Sequence, residues 1–93
     1  MQDQEEFYKK LRDSLESVMK FPSEYMYKFI VPNQENKIAK IKQIFNFSGA
    51  VITTKLSKTG KFLSLTILIK ADSSEMIIAK YKEVATVEGV ISL

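Results

Sequence analysis

Two stretches of the chain alternate apolar and polar positions with the period of two that is typical of β-strands. The stronger one, Phe62 to Ile69, is rich in branched and aromatic residues, which favour strands. The turn residues Ser57 to Gly60 join it to an earlier run, Val51 to Leu56. We therefore predict a β-hairpin over Ala50 to Ala71 whose second arm lies in the middle of a sheet.

The second alternating stretch runs from Glu24 to Val31 and ends at Pro32, which cannot continue the hydrogen-bond ladder. Its odd-numbered residues are the larger apolar set, so we predict that they face the core, together with the odd-numbered residues of the hairpin's second arm. The predicted inward residues are Tyr25, Tyr27, Phe29, Val31, Leu63, Leu65, Ile67 and Ile69. The even-numbered residues would then share an open face of the sheet.

Apolar residues spaced three or four apart predict three amphipathic helices, over residues 5–19, over 34–46 and after Asp72. The predicted buried stripes are Phe7, Leu11, Leu15 and Val18; Ile38, Ile41, Ile44 and Phe45; and Ile77, Ile78, Tyr81, Val84 and Ala85. Phe21-Pro22 ends the first helix and Phe47-Ser48-Gly49 the second. Asn33 and Ser73 are the predicted N-caps of the second and third.

After the first helix, and with a short last strand from Val90 to Leu93, the order is βαββαβ, the ferredoxin-like arrangement. The predicted fold is an α+β sandwich with an antiparallel four-stranded sheet in the order 4-1-3-2 and both core helices on one face. We expect a single domain over residues 1–93, with the N-terminal helix in 1–20 and the core in 21–93. The N-terminal helix would dock on a sheet edge or on the open face.

Composition removes several kinds of chemistry. The 93 residues include no Cys and no His, so disulfides, thiolate sites and histidine bases are excluded. Residues 36–71 hold seven lysines and no acid, which sets up a local positive potential, or simply solvates a helix face and guards a sheet edge. No apolar run approaches the ~20 residues of a membrane span. The acidic N-terminus is unlike a secretory signal, so we expect a cytoplasmic protein without cofactor or metal.

Two residue patterns, on the first strand and on the hairpin, carry a family resemblance. They are Phe21-Pro22-x-x-Tyr25-x-Tyr27-Lys28 and Ser57-x-x-Gly60-x-Phe62-x-Ser64-Leu65-Thr66. With the short final strand, residues 21–93 resemble the YbeD-like family of small bacterial proteins; the helix at 1–19 is longer than that family's usual lead-in. The resemblance implies a ferredoxin-like fold similar to the ACT regulatory domains, and ligand-linked regulation. The ACT glycine after the first strand is replaced by Val31-Pro32-Asn33, which argues against amino-acid binding in the ACT manner.

The start of the second helix and the tip of the hairpin lie at one end of a βαββαβ sheet. Free N–H groups and the helix dipole would meet lysines there, which favours a small anionic metabolite. The candidate residues are Asn33, Gln34, Lys37, Lys58 and Lys61. Glu35 could fill the same electropositive position, and exposed lysines beside an ordinary cap would look the same.

The open face offers a second candidate site, for a protein partner or a second copy of the chain. Its candidate residues are Met26, Ile30, Phe62 and Leu68. RNA-recognition modules of this fold stack bases on open-face aromatics, but here Phe62 alone is predicted there. Acylphosphatases need an arginine after the first strand, and Arg12 is the only arginine. We expect no enzyme but an ACT-like regulatory or adaptor module; the alternative is a single-stranded RNA-binding module.

Overall fold

A computed structural model describes residues 2–46 and 49–93, with side chains in the first helix from Gln4 onward. The helices and strands are α1 (Gln2–Val18), β1 (Ser23–Pro32), α2 (Glu35–Ile44), β2 (Val51–Leu56), β3 (Phe62–Ala71), α3 (Ser74–Val84) and β4 (Ile91–Ser92). All the predicted elements are present, but β4 is only two residues long. Phe47 and Ser48, predicted to close α2, lie outside the described residues.

The four strands form one sheet in the order β2-β3-β1-β4, and every neighbouring pair is antiparallel. Read from the other edge, this is the predicted order 4-1-3-2, so the ferredoxin-like arrangement is confirmed. The predicted parity is confirmed as well. Tyr27 lies opposite Ile67, and Phe29 lies opposite Leu65, and all four side chains are fully buried.

Aromatic rings fill the space between the sheet and the helices. The Tyr27 ring lies at the centre, with its centroid 5.7 Å from Phe29, 5.1 Å from Phe45 and 4.8 Å from Tyr81. Its hydroxyl donates a hydrogen bond to the Ile77 carbonyl oxygen of α3, at 3.0 Å. Burial raises the pKa of Tyr27 well above the ordinary tyrosine value. The ring therefore joins β1 to α2 and α3 while its one polar atom stays paired.

The N-terminal helix α1 packs against α3, in the helix layer, and does not lie on the open face. Leu15 is its buried anchor, and the Ser74 hydroxyl donates to the Glu16 carboxylate. The open-face dock is wrong, and the sheet-edge dock is met only in part: α1 rests on α3, and its Phe7 and Leu11 share a cavity with Ser92 and Leu93 at the end of β4. The prediction that the whole apolar stripe is buried is wrong, because Phe7 and Val18 are 62% and 79% exposed.

One predicted N-cap is confirmed and the other is wrong. The Ser73 hydroxyl accepts a hydrogen bond from the Met76 N–H at 3.1 Å, as an N-cap does. At α2 the N-cap residue is Gln34, which makes no side-chain cap bond. Asn33 instead donates its backbone N–H to the Lys61 carbonyl and its side-chain amide to the Gly60 carbonyl, at 2.9 and 3.0 Å.

Two residues that follow α3 show where this helix ends and why the next connection requires a glycine. Ala85, expected in the buried stripe, is the C-cap of α3 and is exposed, because the helix ends at Val84. Further on, Gly89 has φ +83° and passes close to the end of β1. A Cβ built there would lie 3.0 Å from Pro32 Cγ, so the close approach and the positive φ both require glycine.

Candidate functional site

The open face of the sheet carries a patch of apolar side chains that no helix of the described chain covers. The pairing register puts the even-numbered residues of β1 and β3 on this face with the odd-numbered residues of β2 and β4. Its apolar members are Met26, Ile30, Val51, Phe62, Leu68 and Ile91. The structure thus places Met26, Ile30, Phe62 and Leu68 on one face, as predicted from their parity. Exposure of Met26, Phe62 and Ile91 reaches 51%, 43% and 53%.

Lysines are distributed among these apolar residues. Lys28, Lys55 and Lys70 share the open face by register, and all are exposed. Within the described residues, Glu24 is the one acid on this face, directly opposite Lys70. Because nearby charges of one sign add, the face presents a positive potential around an apolar centre.

A groove of about 420 Å³ opens on this face at the hairpin end, and we call it the hairpin groove. It is lined by Ile30, Lys55, Leu56, Ser57, Lys58, Phe62 and Ser64. Lys58 and Phe62 were predicted for two different sites, and the structure brings them together here. Apolar walls beside two lysines suit a group that is partly apolar and carries negative charge nearby.

The predicted anion site is brought together only in part. The connection between β1 and α2 does meet the hairpin tip, because Asn33 bonds to the Gly60 and Lys61 carbonyls. Those bonds use the backbone N–H of Asn33 and one N–H of its side-chain amide, and the Gln34 N–H donates to the Pro32 carbonyl at 2.7 Å. The Lys37 ammonium lies towards Gly89, 3.7 Å from a Cβ built on that glycine. Only Lys58 lines the hairpin groove, and the five-residue site stays a prediction.

The aromatic residues of β1 face inward, as predicted. Tyr27 and Phe29 are fully buried beneath the helices, and Tyr25 hydrogen-bonds to Tyr81 on that side. On the described part of the open face, Phe62 is the one aromatic ring that a nucleobase could stack on.

A second cavity, of about 600 Å³, lies on the other side of the sheet where β4 ends, and we call it the edge cavity. Its lining includes Phe7 and Leu11 of α1, Tyr25 of β1, Tyr81 of α3, and Leu93 after β4. Sequence reasoning missed this site, because its residues come from distant segments and no spacing links them. The structural sign of this site is the exposed ring of Phe7, which belongs to an apolar stripe predicted to be buried.

The polar groups of the edge cavity are few. The Tyr25 and Tyr81 hydroxyl oxygens are 2.7 Å apart and share one hydrogen bond. Burial, and then the hydrogen bond to Tyr25, raise the pKa of Tyr81 far above its ordinary value. Glu88 is the one charged residue in the described lining. The cavity thus differs in charge from the lysine-rich open face.

Within residues 2–46 and 49–93, no three or more acidic side chains converge as a metal site would require. No helix in that same part of the chain has both the length and the apolar character needed to span a membrane.

The fold and its uncovered face define a small ferredoxin-like α+β domain with an added N-terminal helix. The chain belongs to the DUF493 family, described as proteins of unknown function, whose profile matches residues 16–93. The YbeD-like resemblance is confirmed at the level of this family. The match begins near the end of α1, so Phe7 and Leu11 of the edge cavity lie outside it.

One solved structure similar to this chain is that of an uncharacterized protein of Thermotoga maritima, TM1266. The two superpose with a TM-score of 0.62 at 14% sequence identity, over 76% of this chain and 94% of the other. At that identity the likeness shows the fold alone. No curated protein sequence matches this chain significantly.

Proposed function

We propose that this protein is a non-catalytic adaptor that binds an acidic, partly apolar segment of another protein on the open face of its sheet. The single observation that carries the proposal is the hairpin groove, where Lys55 and Lys58 stand beside Ile30, Leu56 and Phe62. This role is the regulatory, ACT-like role that the family resemblance implies, with a protein segment as the ligand.

A protein segment fits this surface better than a small metabolite does. The apolar patch extends from the hairpin groove across β1 to Met26 and Ile91, further than a metabolite in the groove would reach. Contiguous exposed apolar surface of this kind is typical of protein interaction sites. Two of the donors expected to hold a small anion, the backbone N–H groups of Asn33 and Gln34, already bond within the fold.

Charge complementarity defines the chemistry of the partner. A segment that buries leucine-like side chains in the groove and places carboxylates beside Lys55, Lys58 and Lys28 satisfies both parts of the surface. Such pairs at the rim act mainly on specificity and association rate, and they weaken as salt is added.

The test uses two labelled amphipathic peptides, both with leucines on one face, one with glutamates and one with lysines on the other. We expect the glutamate peptide to bind the full chain at least about tenfold more tightly, by fluorescence anisotropy at low salt. Lys55→Glu combined with Lys58→Glu should remove that preference, and Phe62→Ala should weaken binding.

The matched control is Lys40→Glu combined with Lys42→Glu, which reverses two lysines of the same acid-free block on α2. It changes net charge equally but leaves the open face intact, so binding should persist. Equal binding of both peptides, or equal loss in the control, would contradict the proposal. Displacement of the peptide by oligouridylate, with binding to it lost in Phe62→Ala, would favour the RNA-binding alternative instead.

A further inference from the structure

The first half of β1, residues 23–27, has no strand paired to its outer edge. β4 pairs only with Phe29 and Ile30, and the Leu93 N–H then donates to the Lys28 carbonyl at 2.9 Å. Towards the start of β1, no strand of the described chain lies beside Glu24 or Met26 on that side.

The ladder pattern determines which main-chain groups point outward there. The Asn33 N–H bonds to Lys61 and continues the β1–β3 ladder, so odd-numbered residues of β1 direct their N–H and C=O groups to β3. Even-numbered residues direct theirs to the β4 side, as the bond from Leu93 to Lys28 shows. The N–H and C=O groups of Glu24 and Met26 therefore point away from the sheet, where an added strand can pair with them. Of these groups, the Glu24 carbonyl already accepts a long bond from the Ser23 hydroxyl, at 3.4 Å, which a strand donor would replace.

The edge cavity begins where β4 stops, on the helix side of this same edge. Tyr25 and Leu93 line it, and the α1 residues Phe7 and Leu11 form its far wall. Two apolar side chains at the cavity are open to solvent, Phe7 at 62% and Leu93 at 70%. The Tyr25 and Tyr81 hydroxyls share one hydrogen bond, which leaves the second hydroxyl proton without an acceptor in the described structure.

We propose that the outer edge of β1 takes up a short extended peptide of a partner protein, and that one large apolar side chain of this peptide fills the edge cavity. The peptide lies beside β1 in line with β4, beyond Leu93, and its main chain pairs with that of Glu24 and Met26. Side chains alternate along a strand, so the residue beside Tyr25 points into the helix layer, towards the cavity. A cavity of about 600 Å³ is ample for one aromatic ring.

Charge determines what flanks the apolar side chain. Glu88 is the one charged residue in the described lining and sets the charge at the cavity; Glu24 lies on the free edge itself but has Lys70 opposite it on β3. The peptide is therefore neutral or basic around its apolar residue, opposite in sign to the segment proposed for the open face. The open-face proposal depends on the hairpin groove and this one on the edge cavity; they share only Met26, through its side chain there and its main chain here, so they are tested separately.

A second copy of this chain fits the edge poorly. Each β1 is ten residues long, but its outer edge is open only before Lys28, because Leu93 already bonds to the Lys28 carbonyl. An antiparallel copy could therefore pair only through residues 23–27 of each β1, a short contact. The other sheet edge, β2, carries the exposed Lys55, which discourages strand addition and makes β2 an internal control.

The experiment is an NMR titration of the full chain with the probe acetyl-Lys-Val-Phe-Val-Lys-amide. We expect chemical-shift changes at Glu24, Met26 and Tyr81, and a slowing of amide exchange at Met26 by at least about tenfold near saturation. Two matched probes isolate the two interactions. N-methylation of both valines removes main-chain donors, and replacing both lysines by glutamate reverses the charge; each should weaken binding at least about tenfold.

Two variants complete the test. Leu11→Trp fills the edge cavity and should abolish binding of the phenylalanine probe, whereas Phe62→Ala on the open face should leave it unchanged. Glu88→Lys should reverse the charge preference between the two probes without touching the strand edge. Shifts confined to Val51–Leu56, undiminished binding of the N-methylated probe, or no shift at millimolar probe would each overturn the proposal.

Discussion

The inner and outer faces of the sheet take apolar side chains from the same strands, yet the helices bury only the inner set. On the inner face Tyr27, Phe29 and Leu65 are fully buried. On the outer face Met26 and Phe62 are about half exposed and stand among lysines. The comparison teaches that strand alternation determines which residues share a face, whereas what covers a face depends on elements elsewhere in the chain.

The largest expected difference comes from truncating one phenylalanine on each face. Phe29→Ala empties a closed aromatic cluster and should lower the free energy of unfolding by about 3–5 kcal/mol. Phe62→Ala, on a ring that already contacts water, should cost less than about 1 kcal/mol. Urea unfolding followed by far-UV circular dichroism measures both. Similar losses in the two variants would mean that the open face is covered in solution.

Helix α1 allows the same comparison within one stripe. Leu15 is buried against the core, so Leu15→Ala should lower the free energy of unfolding by about 2–3 kcal/mol. Phe7→Ala, at an exposed position, should change it by less than about 1 kcal/mol. If both substitutions are neutral in thermal unfolding, α1 does not pack on α3.

The Tyr27 hydroxyl gives a smaller effect with a pH signature. Tyr27→Phe removes the hydrogen bond to the Ile77 carbonyl and should cost about 1 kcal/mol at neutral pH. Burial raises the pKa of Tyr27 and of Tyr81 in the folded state above the unfolded value of 10.0. Both groups must stay neutral to remain buried, so their contribution is complete below pH 10.0 and is lost as the pH rises above it.

Denaturant unfolding between pH 7 and 11 measures this loss. The Tyr27→Phe variant has one buried phenol fewer to ionise, so its stability should fall less steeply above pH 10.0 than that of the unsubstituted chain. Parallel curves would show that Tyr27 ionises in the folded state without penalty.

The smallest effect is expected at the outer edge of the open face. Val51→Lys replaces a side chain that is 64% exposed and should change the free energy of unfolding by no more than about 0.5 kcal/mol. It should also reduce the fluorescence of anilinonaphthalene sulfonate, a reporter of exposed apolar surface. A larger destabilisation would show that Val51 is buried against another molecule.

The sheet could be predicted from the sequence because its information is local. Alternation in Glu24–Val31 and Phe62–Ile69 defines the faces, and the βαββαβ order then predicts the usual ferredoxin-like strand order, 4-1-3-2. Ser73 was predictable for the same reason, since a cap bonds within three residues along the chain. The hairpin groove could be predicted in part: parity placed Ile30 and Phe62, but Lys58 was assigned to another site.

The remaining features depend on contacts between distant segments. Asn33 looks like a cap in the sequence, but in the fold it donates its hydrogen bonds to the Gly60 and Lys61 carbonyls at the hairpin tip. The apolar stripe of α1 predicts that one side of the helix is buried, but it does not predict which element the helix packs against. The edge cavity assembles Phe7, Tyr25 and Leu93 from three distant segments, and no local pattern in the sequence points to it.

The paired hydrogen bonds of Asn33 have a mechanical consequence. They clamp the hairpin tip to the segment that leads into α2, so a movement of the tip away from that helix must break both bonds. Lys58 and Phe62 lie on either side of the clamped residues Gly60 and Lys61, so one wall of the hairpin groove is held rigidly before any partner arrives. The acidic segment proposed for this groove would therefore dock onto a preformed wall, with little ordering entropy to overcome there.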